Sequence, residues 1–113
     1  IEVIEAGIEQ AGGVPVLIVN EPIFVSNGQN SDIRYNSFYP RWIYDQYRDL
    51  LMSYSNEQQW NYVDMWQSAN NSEFTNTPIH LTPAGTQQLA DSIAQALKVQ
   101  FDFQSFASLR RAP

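Results

Sequence analysis

Cysteine is absent from this chain of 113 residues, and histidine occurs once, as His80. Without cysteine the fold holds no disulfide and no thiolate metal site, and a zinc centre built on histidines needs more than one of them. Lys and Arg number 6 against 12 Asp and Glu, an acidic balance that opposes the phosphate contacts of nucleic-acid binding. The sequence therefore argues against disulfide-stapled folds, zinc enzymes and nucleic-acid partners.

Long apolar runs are also missing. The longest covers residues 14–19, far short of the roughly 20 residues that span a bilayer, so we expect no membrane span. Hydrophobic residues make up 43% of the chain, enough for the core of one domain. A single lysine among many Asn and Gln residues favours an extracytoplasmic bacterial location. Because the chain begins at Ile1 without a leader-like segment, we expect it to be a piece of a longer polypeptide.

The first part of the chain predicts a helix followed by a strand. Apolar residues recur at helical spacing over residues 1–11, and Gly12 and Gly13 follow where a helix ends. Residues 14–19 form a continuous apolar run typical of a strand covered on both faces, as in parallel sheets. Residues 60–65 predict a second strand.

Two further helices are predicted. One opens near Pro40, and its apolar face carries Ile43, Tyr47, Leu50, Leu51 and Tyr54. The other has Thr82 as its N-cap and Pro83 at its first helical position. The order of helices and strands indicates an α/β fold with adjacent parallel strands. Two strands cannot cover residues 14–19 on both sides, so another segment, or a second copy of the chain, is expected to complete the sheet.

His80 is the simplest candidate for a general base, because histidine exchanges protons most readily near neutral pH. It lies between the second strand and the last helix, at the sheet edge where ligands bind in open α/β folds. A loop histidine without a task is the alternative. Pro78 and Pro83 on either side argue against it, since they would hold the imidazole in one direction.

The residues around His80 resemble a known family. Residues 77–85, Thr-Pro-Ile-His-Leu-Thr-Pro-Ala-Gly, and the amphipathic stretch 88–94 look like the last conserved block of the SGNH hydrolases, also called GDSL-type esterases. Residues 62–65 resemble the family's last core strand, and residues 13–22 resemble the strand before it.

This resemblance implies a three-layer α/β/α fold with a parallel sheet. Residues 1–98 would be the C-terminal half of the domain, and residues 99–113 a tail. It also implies hydrolysis of small carboxylic esters by acyl transfer, in which His80 takes the proton from a serine outside this chain. No cofactor is implied.

The chain departs from the family at two places. The Gly-Asp-Ser block with the nucleophile, the oxyanion-hole glycine and the Gly-x-Asn-Asp block are absent, so the N-terminal half of the same domain, or a second copy, is the expected partner. The family's acid precedes the histidine by three residues, where this chain has Thr77, with Asn76 before it. Either side chain, or a backbone carbonyl, could orient the ring without supplying charge. Glu73 and Asp64 are the other carboxylates in this region.

Residues 32–42 are candidates for a substrate pocket, because they follow the first strand and combine charges with four aromatic rings. Tyr35 and Tyr39 would form the wall, and Arg34 or Arg41 would meet an acidic or sugar group. Packing of these rings over the helix is the alternative. For the whole chain, the alternative to an esterase is a non-catalytic α/β binding module of carbohydrate-binding type, which the missing acid favours.

Overall fold

The computed structural model describes residues 1–101. Their elements are α1 (Glu2–Gln10), β1 (Leu17–Asn20), α2 (Arg41–Glu57), β2 (Asn61–Asp64), a 3-10 turn (Asn71–Glu73) and α3 (Pro83–Gln100). β1 and β2 are parallel neighbours, with Leu17 opposite Asn61 and Asn20 opposite Asp64. The α/β organisation with two adjacent parallel strands is therefore confirmed. The sheet formed by residues 1–101 has these two strands alone, so the three-layer arrangement stays a prediction.

β1 is shorter than the strand predicted over residues 14–19. The chain turns through Gly12 and Gly13 with φ angles of 61° and 90°, which glycine adopts without the steric cost of a Cβ. Pro15 has no backbone N–H to offer a ladder, and Val14 is 67% exposed. The strand begins after this proline. Its apolar residues are half-buried, so residues 1–101 do not cover both faces of the strand, and full coverage by a further segment stays a prediction.

α2 buries a face that is rotated from the predicted one and shares Leu51 with it. Its buried residues are Tyr44, Leu51 and Ser55, which share one side of the helix, and the helix packs against β2. Ile43, Tyr47 and Leu50 were expected on the buried face and are exposed. The apolar surface of α2 is therefore wider than the part that the described residues cover.

The tightest apolar cluster lies beyond the ends of the strands. Ile23, Tyr35 and Tyr44 are buried there, and Trp66 and Tyr39 pack against them. The Tyr35 ring meets the Trp66 ring edge-on with 4.9 Å between centroids, a favoured geometry for aromatic pairs. This cluster gives the long segment between β1 and α2 an ordered conformation.

α3 ends later than the predicted domain boundary. It runs through Gln100, past residue 98, and the part of the predicted tail from residue 102 onward lies outside the described residues. None of the helices in residues 1–101 has the length and hydropathy needed to cross a bilayer.

Candidate functional site

His80 lies in a loop that is closed at its base. Phe74 and Leu81 form an isolated antiparallel bridge. Inside it, the Thr75 N–H donates to the His80 carbonyl over 2.9 Å, and the Thr75 hydroxyl donates to the same oxygen over 3.2 Å. These bonds fix the backbone of His80 in the loop between the 3-10 turn and α3.

The histidine loop is also attached to the segment that follows β1. The Phe24 N–H donates to the Pro78 carbonyl over 2.8 Å, and the Asn71 amide donates to the Val25 carbonyl over 2.7 Å. These contacts bring the loop to the carboxyl end of the sheet, the edge where ligands bind in open α/β folds.

Thr77 holds the backbone of His80. The His80 N–H donates to Thr77 Oγ1 over 2.9 Å. The imidazole itself is exposed and has no hydrogen-bond partner within residues 1–101. Asn76 and Thr77 line a depression of about 380 Å³ beside the same loop. An open, unpartnered imidazole on a fixed backbone can exchange a proton with a group brought to it.

The two neighbouring carboxylates are engaged elsewhere. A Glu73 carboxylate oxygen accepts from the Thr82 hydroxyl over 2.5 Å. Asp64 accepts from Arg48 Nε over 2.8 Å and from Arg48 Nη2 over 2.6 Å. Since each carboxylate already has a charge-assisted partner, the structure does not support the alternative that Glu73 or Asp64 orients His80.

Thr82 and Glu73 together fix the start of α3. Thr82 is the N-cap, as predicted, and its Oγ1 accepts from the Gly85 N–H over 3.1 Å. Its hydroxyl proton goes to Glu73. The Thr82 N–H also donates to the Glu73 carbonyl over 2.7 Å. The 3-10 turn and α3 are thereby joined across the loop that carries His80.

A cleft of about 680 Å³ opens beside this loop. It lies between the end of β1, the segment before α2 and the first turns of α2, and Ile79, the neighbour of His80, is part of its wall. The aromatic residues that line it are Phe38, Tyr39, Tyr44 and Tyr47. Its polar residues are Asn20 and Glu21.

Asn20 is buried in the cleft lining and its hydrogen bonds are largely used. Its amide donates to the Tyr44 hydroxyl over 3.2 Å and to Asp64 Oδ1 over 2.9 Å, and its oxygen accepts from the Tyr47 hydroxyl over 3.4 Å. Burial raises the pKa of Tyr47, with the nearby Asp64 charge acting in the same direction. The Tyr47 phenol therefore stays neutral well above physiological pH.

Of the residues predicted to bind substrate, Tyr39 lines the cleft. Tyr35 does not line it: this residue is 5% exposed, belongs to the apolar core, and donates its hydroxyl proton to Asp45 over 2.6 Å. The expectation that Tyr35 forms a pocket wall is therefore corrected in favour of the packing alternative.

The two arginines of this segment hold the loop. Arg34 Nη2 donates to the Ser37 carbonyl over 2.6 Å, and Arg41 Nε donates to the Ser31 carbonyl. The Arg41 guanidinium also lies 4.5 Å from the centre of the Tyr35 ring. Neither arginine lines the 680 Å³ cleft, so the expectation that one of them meets a substrate group there is not supported.

Sequence reasoning missed Asn20, Glu21 and Tyr47. The available signal was the polar pair Asn20 and Glu21 directly after a predicted parallel strand, the position where ligand contacts concentrate. No comparable signal marks Tyr62 on β2, whose buried hydroxyl has no hydrogen-bond partner within residues 1–101. Burial, assisted by Asp64, raises the pKa of Tyr62 to about 12.

Comparison of the chain with protein-family models, curated proteins and solved structures gave no match. In residues 1–101, no group of three or more His, Cys, Asp and Glu side chains could hold a metal ion. The functional interpretation therefore depends on the geometry of the histidine loop and the cleft.

Proposed function

We propose that this chain is the C-terminal part of an SGNH-like hydrolase domain and that His80 is the general base for hydrolysis of a small carboxylic ester. One observation carries the proposal. The His80 imidazole is exposed and unpartnered within residues 1–101, while its backbone is held by three hydrogen bonds, two to its carbonyl from Thr75 and one from its N–H to Thr77.

In the proposed reaction His80 accepts a proton and then returns it, first in the acylation step and again in the deacylation step. A serine oxygen attacks the ester carbonyl, and His80 accepts the serine proton as the new C–O bond forms. The same proton then goes to the leaving alcohol oxygen as the ester C–O bond breaks. Water repeats the sequence on the acyl-enzyme, with His80 again accepting and returning a proton. Nucleophile and oxyanion donors belong, in this proposal, to the N-terminal half of the domain.

The open side of β1 supports this division of the domain. Within residues 1–101, β1 has β2 on one side and no strand on the other, and natural proteins avoid an uncovered apolar edge strand. In the proposal, a parallel strand from the N-terminal half, or from a second copy of the chain, pairs with this edge. The exposed Leu50 of α2, which does not line the cleft, would be covered at the same time.

This chain has Thr77 where the family has its acid, three residues before the histidine. His80 therefore lacks a carboxylate that would make it a more effective base. Loss of the carboxylate costs on the order of 10⁴ in rate in a serine protease when the wrong imidazole tautomer results. Thr77 Oγ1 accepts from the His80 N–H and makes no bond to the ring, so the proposed group that selects the tautomer is a backbone carbonyl outside residues 1–101. The outcome is a Ser-His dyad with a modest rate.

The coding sequence upstream of Ile1 tests the proposal. We expect it to encode a Gly-Asp-Ser block, and the joined polypeptide to react with a fluorophosphonate, a reagent for activated serines. Labelling should be lost in His80→Ala and retained in Gln95→Ala, a matched exposed change on α3. An upstream sequence without the block, or labelling that survives His80→Ala, would contradict the proposal.

A non-catalytic binding module is the second candidate, and one observation favours it. Both carboxylates near the histidine loop are engaged, Glu73 with Thr82 and Asp64 with Arg48, so the imidazole has no acidic partner in residues 1–101. Absence of fluorophosphonate labelling in a correctly folded joined polypeptide would favour this candidate over the esterase.

A further inference from the structure

The cleft beside β1 has aromatic rings and a carboxylate that the proposed reaction does not use. Phe38 is 70% exposed and Tyr47 is 44% exposed, and both line the cleft. Glu21 follows the end of β1, is exposed, and has no hydrogen-bond or ion-pair partner within residues 1–101. Among residues 1–101, no Lys or Arg lines the cleft. The charge that these residues give the cleft is therefore negative and uncompensated.

The surrounding basic groups cannot reverse this charge. Arg41 is held by the Ser31 carbonyl and lies over the Tyr35 ring. Arg48 forms an ion pair with Asp64 over 2.6 Å, which neutralises the carboxylate next to Asn20. An anionic ligand would meet the Glu21 carboxylate without a compensating cation, so the charge of the cleft disfavours anions.

The buried polar residue of the lining, Asn20, offers little to a sugar. Sugar recognition needs free donors and acceptors for the ring hydroxyls. Both N–H groups of Asn20 are already given to Tyr44 and Asp64, and its oxygen accepts from Tyr47. With Asn20 engaged, the free charged group of the lining is the Glu21 carboxylate, and most of the remaining lining is apolar or aromatic, which favours a cationic ligand whose main contacts are through carbon.

We propose that the cleft binds a quaternary ammonium group. Such a cation presents only methyl and methylene groups, so it needs no hydrogen-bond acceptor, and it is attracted to the faces of aromatic rings. Phe38, Tyr39 and Tyr47 supply the rings, and Glu21 supplies the opposite charge at the rim. Binding requires neither the serine nor turnover, so this site stands independently of the proposed esterase.

The test is an NMR titration of the 113-residue chain with choline, compared with 3,3-dimethyl-1-butanol, an uncharged molecule of the same shape. We expect choline to shift the amide signals of Glu21, Tyr39 and Tyr47 in a saturable way. The neutral analogue should bind about fivefold more weakly, because an exposed cation–π contact changes affinity by a factor of about 2 to 5.

Single substitutions distinguish the contribution of the Tyr47 ring to choline binding from that of the Glu21 charge. Tyr47→Leu should weaken choline binding about threefold, whereas Tyr47→Phe keeps the ring and should bind as the wild type does. Glu21→Gln should weaken choline binding about threefold and leave the neutral analogue unaffected. Glu9→Gln, an exposed change on α1, is the matched control for loss of one negative charge.

Three results would overturn the proposal. The first is equal affinity for choline and the neutral analogue, which would show an apolar cleft without charge selection. The second is an absence of saturable shifts at Glu21, Tyr39 and Tyr47. The third is an equal effect of Glu21→Gln and Glu9→Gln on choline binding, which would show that the net charge of the chain, and not Glu21 in the cleft, attracts the cation. Retained choline binding without fluorophosphonate labelling would separate this site from the esterase.

Discussion

Gly85 packs directly against Glu73: a Cβ on Gly85 would lie 2.7 Å from the Glu73 Cβ and 3.1 Å from the Glu73 carbonyl oxygen. The same Glu73 accepts the hydroxyl proton of Thr82, the N-cap of α3. The start of α3 and the 3-10 turn are therefore in close contact at the base of the loop that carries His80. This contact depends on the absence of a side chain at position 85.

Gly85→Ala should destabilise the chain. Part of the clash is with a backbone oxygen, which cannot rotate away, so we expect the free energy of unfolding to fall by about 1–3 kcal/mol. Gly7→Ala is the matched control, because Gly7 is inside α1 and its Cβ would meet no atom within 4 Å. That change should raise the unfolding free energy by about 0.5–1 kcal/mol. Urea denaturation measures both, and effects of the same sign would contradict the prediction.

Tyr62→Phe should stabilise the chain at neutral pH. It removes a buried hydroxyl that has no hydrogen-bond partner within residues 1–101, so the unfolding free energy should rise by up to about 1 kcal/mol. Tyr54→Phe is the contrast, because the Tyr54 hydroxyl donates to Glu5 over 2.7 Å. Urea denaturation should show no gain for Tyr54→Phe. An equal gain in both variants would mean that the Tyr62 hydroxyl is not the cause.

The raised pKa of the Tyr62 hydroxyl predicts that the folded chain loses stability at alkaline pH. Burial raises the pKa of Tyr62 from its ordinary value of 10.0 to about 12. The unfolded chain releases this proton near pH 10, whereas the folded chain keeps it until pH is near 12, so unfolding becomes easier as pH rises through that window. Below it, Tyr62 adds no pH dependence. Urea denaturation from pH 9 to 12, roughly the window set by the two pKa values, should give a flatter profile for Tyr62→Phe than for the wild type.

The open edge of β1 predicts association of the isolated chain. Residues 14–19 are largely apolar, and within residues 1–101 the strand has one neighbour. We expect light scattering to report a mass above 12.9 kDa, or hydrogen exchange at residues 16–18 to be fast. A stable monomer with these amides protected would show that the sheet needs no further strand.

Local signals predicted much of the fold. Thr82 and Pro83 mark the start of α3 because capping and the missing proline N–H act within one helical turn, and Pro40 marks the start of α2 as its N-cap residue, without a side-chain cap. The start of β1 was predicted too early because the apolar pattern outweighed the effect of Pro15. The buried face of α2 was misplaced because burial depends on the partner that covers the helix, which periodicity does not identify.

In the candidate site, too, residues marked by a local sequence pattern could be predicted, and residues that depend on long-range contacts could not. His80 could be found from the sequence because it is the chain's single histidine and lies between two prolines. The contact of Asn20 with Asp64 depends on strand register across 44 residues, which no local pattern contains. Tyr35 has the composition of a pocket residue, and the fold instead buries it against Trp66.

Hydrolysis of a short-chain aryl ester, measured with and without His80, tests the central claim most directly. The 113-residue chain should hydrolyse the ester no faster than its His80→Ala variant, because the proposed nucleophile lies elsewhere. Joined to the upstream segment, the chain should become active, and His80→Ala should then reduce the rate by about a hundredfold or more. Turnover that depends on His80 in the 113-residue chain alone, or turnover in the joined polypeptide that survives His80→Ala, would contradict the account.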